Sequence, residues 1–196
     1  MHQSGSQDWV VSKLQRCKTL LREVPEIALE TFNTMDAALR LPLDARATAS
    51  VLNSYVIDAA RKVFDGESNS RFLCTNGTTY HLLNGCVLWY KQLGSDGLPS
   101  NYQTDTAQLL MQGTFPFLEK RVLLVVGFRF DAAMQQVDRV EIQRFRGDSM
   151  QFFIELEKVV SKTKVIAMPS GQPQAKPKSR VTIKRGPEQT EIASGD

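Results

Sequence analysis

The sequence predicts an α+β protein: an N-terminal three-helix layer packed on an antiparallel five- or six-stranded sheet, followed by a disordered C-terminal tail. Three observations predict it. Apolar residues recur every three or four positions from residue 8 to residue 65, which is the spacing of one buried helix face. After residue 70 the period drops to two and two Asn-Gly pairs interrupt it, as hairpins require. Past residue 167 the apolar period stops in MPSGQPQAKPKSR, a composition that buries too little surface to offset ordering. With 196 residues and 42% hydrophobic content, the chain suits one domain with a core of its own. The organisation expected is a flexible start at 1–7, a single domain at 8–167 with helices in 8–65 and sheet in 70–157, and a tail at 168–196.

The first helix rests on Trp9, Leu14, Cys17, Leu20, Leu21 and Val24. Pro25 is expected to end it and to open a second, because proline fits a first helical turn but not an interior. Ala28, Phe32, Met35 and Leu39 continue that second helix until Pro42 stops the pattern. Asp44 is a natural N-cap for a third helix carrying Ala47, Val51, Tyr55, Ala59 and Val63, with Gly66 just past its end.

Within RFLCTNGTTYHLLNGCVLWYKQL, the pairs Asn76-Gly77 and Asn84-Gly85 supply the two positive-φ residues of a type I′ turn. They predict a meander at 71–75, 78–83 and 86–93. Further strands are expected at 121–130, 137–145 and 150–156. The run Val122, Leu123, Leu124, Val125, Val126 is too continuously apolar for a half-solvated strand, so it belongs mid-sheet with both faces covered. Residues 94–120 hold a loop, a short helical candidate at 104–112 and the connection TFPFLEK.

Charge narrows the function. Lys and Arg number 19 against 18 Asp and Glu in residues 1–167, and 5 against 3 in residues 168–196. The folded part is therefore near neutral, whereas nucleic-acid affinity draws on clustered cations. Three cysteines without a CxxC pair, and no N-terminal run with the layout of a leader, lead to the expectation of a reduced, cytoplasmic protein. Apolar runs fall far short of the ~20 residues that span a bilayer.

Little in the chain offers chemistry. Two histidines, His2 and His81, cannot supply a zinc site alone, and HExxH, GxSxG, GxxxxGK[ST] and GxGxxG are all missing. His81 is expected to be a satisfied structural residue, and Cys74 and Cys86, beside the hairpin turns, to be buried small hydrophobes. Asp131, Asp138 and Glu141 stand at strand ends as a magnesium nuclease site would want, but Gln143 occupies the position of the lysine such a site needs. The stretch LWYKQLGSDGLPSNYQT is the remaining candidate. Trp89 and Tyr90 must face opposite sides of a strand, so at most one packs under the helices and the other is expected outside. Asp96-Gly97 and Pro99 read as turn residues.

The motifs WYKQLGSDGLPSNYQT and RVLLVVGFRFDAAMQQVDRVEIQRF resemble a family of small bacterial proteins encoded beside ImmA/IrrE-type zinc metallopeptidases. The matching features are Tyr90-Lys91, Asp96-Gly97-Leu98-Pro99-Ser100-Asn101 and Gly127-Phe128-Arg129-Phe130-Asp131-Ala132, within residues 45–157. The resemblance implies a non-enzymatic, protein-binding antitoxin or regulator that neutralises the peptidase, in a toxin-antitoxin pair serving phage defence. It implies that the partner carries the zinc and this chain no cofactor. Trp89, Tyr90, Lys91, Pro99, Asn101 and Tyr102 are the candidate partner-binding residues, with the C-terminal tail as a rival surface. Two other readings stay open: a nucleic-acid-binding transcriptional regulator built on the helices and basic tail, and a degenerate metal-dependent nuclease with Asp131 and Glu141 as ligands.

Overall fold

Residues 5–75, 77–100, 121–147 and 149–158 are described by the structure, a computed structural model. They lie in the unit Met1–Val159. The expectations for a helix at 104–112 and a disordered tail at 168–196 fall outside the described residues.

The helices come first. Ser6 caps α1 (Gln7–Leu14), accepting a hydrogen bond from the Trp9 amide. A 3₁₀ turn at Gln15–Cys17 leads into α2 (Lys18–Asn33), which runs through Pro25. The expected break at Pro25 is thus misplaced by eight to ten residues. An interior proline deprives the Leu21 carbonyl of its donor and costs ~3 kcal/mol. Against that, Leu21, Val24, Ala28, Leu29 and Phe32 are all buried on one side of α2, at roughly 1.5–3 kcal/mol for each large side chain. The apolar face outweighs the proline. After the single-turn α3 (Ala37–Arg40), Asp44 caps α4 (Ala45–Val63) as expected, its carboxylate 2.7 Å from the Ala47 amide. The three-helix layer is therefore a correction: two long helices, α2 and α4, pack on each other and reach the sheet, while α1 and α3 are short.

Six strands follow: β1 (Ser70–Thr75), β2 (Thr78–Leu83), β3 (Cys86–Gln92), β4 (Val122–Phe130), β5 (Val137–Arg146) and β6 (Ser149–Glu155). Their order in the sheet is their order in the chain. At the β2–β3 turn Asn84 has φ 50° and Gly85 φ 84°, the conformation that type I′ geometry demands of both. An all-antiparallel sheet was the expectation, and it fails at one pair: β3 and β4 run parallel, Cys86 opposite Val122 through Gln92 opposite Phe128. The remaining pairs are antiparallel. Parallel neighbours need a crossover of a dozen or more residues, and 93–121 supplies it.

As expected, β4 lies mid-sheet. Cys86, Leu88 and Tyr90 of β3, Leu124, Val126 and Phe128 of β4, and Val140 and Ile142 of β5 face the helices in one core. The alternate residues Val87, Trp89 and Val125, with Tyr80 of β2, form a second buried cluster. Among the described residues, no helix is long and apolar enough to cross a membrane.

Candidate functional site

The alternation of β3 places Trp89 and Tyr90 on opposite sides of the sheet, as the pleat dictates. Neither is outside, however: Trp89 is 6% exposed and Tyr90 1%. The expected external aromatic fails because alternation assigns a face without saying whether that face is covered. Lys91 is half-buried, its Nζ 4.2 Å from the centre of the Trp89 ring, and burial lowers its pKa. Pro99 is buried and bridges to Leu93, while Asn101 and Tyr102 lie outside the described residues.

The loop after β3 is built from its own turn chemistry. The Gly94 amide donates to Leu98 O at 2.8 Å, the Leu98 amide to Asp96 Oδ1 at 3.0 Å, and the Ser100 amide to Gln92 O at 3.0 Å. Gly97 takes φ 76°, open to glycine without strain. Its carbonyl accepts from Gln143 Nε2 at 2.7 Å, which ties the loop to β5. Leu93 seats over Gly127, where an added Cβ would meet Leu93 Cδ2 at 2.5 Å.

Asp131, Asp138 and Glu141 do not converge. Asp131 closes its own turn by accepting from the Gln135 and Gln136 amides. Asp138 pairs with Arg129 at 2.7 Å. Glu141 is buried between Arg139, at 2.8 Å, and the Gln143 side-chain amide. Among the described residues, no three His, Cys, Asp or Glu side chains gather as a metal site would require.

The polar feature that sequence reasoning passed over is a chain through His81. The register of β1 on β2 sets Phe72 opposite His81 and Ser70 diagonal to it, on the same side. Ser70 Oγ is 2.9 Å from His81 Nε2, and Tyr90 Oη is 2.9 Å from His81 Nδ1. Phe72 stacks on the imidazole at 4.3 Å between centroids, and Phe64 meets it edge-on at 4.7 Å. Burial drives the His81 pKa down to about 4, so the ring is neutral near pH 7.

Hydrogen-bond accounting sets the proton order. Among the described residues, the Tyr90 hydroxyl has no partner except His81 Nδ1, and a buried O–H without an acceptor costs ~1–3 kcal/mol. Tyr90 therefore donates to Nδ1, Nε2 carries the ring proton, and Nε2–H donates to Ser70 Oγ. A nucleophilic serine needs the reverse, with Nε2 free to take its proton. Ser70 is half-exposed, and its own proton is left to point away from the core as a donor.

Ser70 opens on a cleft of about 980 Å³ between α1, the turn after it, and the β1–β2–β3 end of the sheet. Lys13, Arg16, Arg71 and Arg121 line the cleft, and among the described residues no carboxylate does. Asn84 closes one end, its Nδ2 donating to Lys13 O at 3.2 Å and reaching Cys17 Sγ at 3.7 Å. The thiols nearby are inert in character. Burial pushes Cys86 up to about 12, and burial, then Glu67, raises Cys17. Cys86 is buried as expected, but Cys74 is exposed, because β1 is an edge strand and Cys74 lies near its end at the turn to β2.

The Ser70–His81 pairing was readable in principle, since the Asn76-Gly77 pair predicts the register that makes them diagonal neighbours. Set against known proteins, the chain matches no family model, no curated protein and no solved structure.

Proposed function

We propose that this chain is a non-enzymatic binding protein, an antitoxin or regulator whose target is an ImmA/IrrE-type zinc metallopeptidase encoded beside it, in a pair serving phage defence. The partner rests on the resemblance of the β3-to-loop and β4 motifs. The binding reading rests on one observation: among the described residues, the groups that could do chemistry are already occupied. Asp131, Asp138 and Glu141 each serve a turn or an arginine, and the His81 ring nitrogens are engaged by Ser70 and Tyr90, a pairing that, with Tyr90 donating, leaves no base for the serine.

With Trp89, Tyr90 and Pro99 buried, the contact surface favoured is the β6 edge. Natural edge strands are blunted by charge or proline. Between Ser149 and Ile154, β6 has neither, and it exposes Met150 at 39% and Phe153 at 46%. Such an edge accepts an added strand, with main-chain hydrogen bonds giving affinity and alternate side chains giving specificity. The exposed Leu98 of the loop is a second contact candidate.

Co-expression with the neighbouring peptidase tests the reading. The chain should relieve the peptidase's toxicity and co-purify with it, and Phe153→Glu should abolish both effects while leaving the chain folded. No complex and no relief of toxicity from the wild-type chain would sink the proposal.

A further inference from the structure

We propose that the cleft between α1 and the β1–β2 hairpin binds a phosphoryl anion, with Arg16 and Arg71 as charge partners and the Ser70 hydroxyl as a directed donor. Three observations carry it. First, among the described residues the lining carries the cations Lys13, Arg16 and Arg71 and no acid, in a chain whose residues 1–167 are otherwise balanced at 19 against 18. Like charges around one concavity repel each other, and an anion between them offsets that repulsion. Glu67, whose charge raises Cys17 and which directly precedes the lining residues Ser68 and Asn69, is outnumbered. None of Lys13, Arg16 and Arg71 stands in an ion pair among the described residues.

Second, Ser70 Oγ lines the cleft and stands 2.9 Å from His81 Nε2; in the tautomer that lets Tyr90 donate to Nδ1, Nε2–H donates to the serine oxygen and the serine O–H is a donor without a committed acceptor. A donor without a committed acceptor suits an oxyanion, and charge-assisted hydrogen bonds are the stronger kind. Third, the cleft is held in shape without ligand. The type I′ turn at Asn84-Gly85 aims the Asn84 amide at Lys13 O and Cys17 Sγ, fixing the hairpin against α1. Arg16 and Arg71 both line this preformed concavity, and the guanidinium fork offers several donors to the multiply accepting oxygens of a phosphoryl group.

The phosphoryl group could come from a free polyphosphate or nucleotide, or from a nucleic-acid backbone. Calorimetric titration of the full chain with inorganic pyrophosphate tests the site, and competition by a fluorescent single-stranded oligonucleotide separates the sources. Pyrophosphate should bind saturably. The Arg16→Glu/Arg71→Glu variant should weaken it at least tenfold, and Ser70→Ala about five- to tenfold. Arg46→Glu, an exposed reversal on α4, should leave it unchanged. Oligonucleotide that displaces pyrophosphate, with affinity falling steeply as salt rises, assigns the backbone, and failure to displace it assigns the small anion. Because the variants alter exposed or half-exposed residues, an unchanged melting temperature should accompany them. The proposal is overturned if pyrophosphate does not bind, or if both cleft reversals leave its affinity where Arg46→Glu does.

Discussion

Replacing Tyr90 with phenylalanine removes one oxygen and tests the polar chain at its closed end. Tyr90 is 1% exposed, and its hydroxyl stands 2.9 Å from His81 Nδ1. In Tyr90→Phe that nitrogen loses its partner, and His81, itself 0% exposed, cannot reach water. Either tautomer leaves Nδ1 unsatisfied, so the cost is the desolvation penalty of a buried polar atom, ~1–3 kcal/mol, rather than the smaller net worth of a hydrogen bond. At about 2–4 °C per kcal/mol for a domain of this size, a loss of ~2 kcal/mol lowers the melting temperature by about 4–8 °C. His81→Leu should also cost more than its lost packing, because it strands the Tyr90 hydroxyl. The double variant strands neither group, so it should be no less stable than the worse single one, with a coupling of ~1 kcal/mol or more. Urea denaturation followed by tryptophan fluorescence measures all four corners of the cycle. If the two single losses simply add, or if Tyr90→Phe costs under ~0.5 kcal/mol, the chain and the serine orientation derived from it are wrong.

Other outcomes follow from the same contacts. Burial depresses His81 from 6.5 to about 4, so the unfolded chain takes the proton first as pH falls. The stability due to neutral His81 is complete above pH 6.5 and is lost between there and pH 4, in total ~3 kcal/mol; denaturation across pH should show this slope in the wild type and its absence in His81→Leu. Gly127→Val forces its side chain into Leu93, whose Cδ2 stands 2.5 Å from the position of an added Cβ, and should cost ~1–3 kcal/mol. Leu93→Ala in the same chain should recover part of that, read by the same urea titration. Asp44→Ala removes the cap on the Ala47 amide and should cost ~1 kcal/mol, with thermal unfolding as the check.

The strands were legible because their signals are local. Two Asn-Gly pairs and a period of two locate β1, β2 and β3 to within a residue, and the continuous run of β4 announces a strand with both sides covered. Strand direction is different, since nothing in the period of β3 or β4 distinguishes parallel from antiparallel. The length of 93–121 was the available hint. Pro25 misled for the opposite reason: a local rule was overridden by the burial of Leu21, Val24, Ala28, Leu29 and Phe32, a tertiary effect. The aromatic pair shows the same limit. Alternation separates Trp89 from Tyr90, yet burial of the second face at Trp89 depends on what packs there, which alternation alone does not encode. Ser70 and His81 were within reach, as the hairpin register alone makes them diagonal neighbours, but the Tyr90 contact on the other ring nitrogen comes from β3 lying beside β2.

Binding to an ImmA/IrrE-type peptidase is the central proposal, and calorimetric titration of the purified chain into such a peptidase, if one is encoded beside it, tests it most directly. A saturable heat that Phe153→Glu weakens at least tenfold is the predicted result. No binding by the wild-type chain would contradict the account, and binding that survives Phe153→Glu unchanged would remove β6 as its surface.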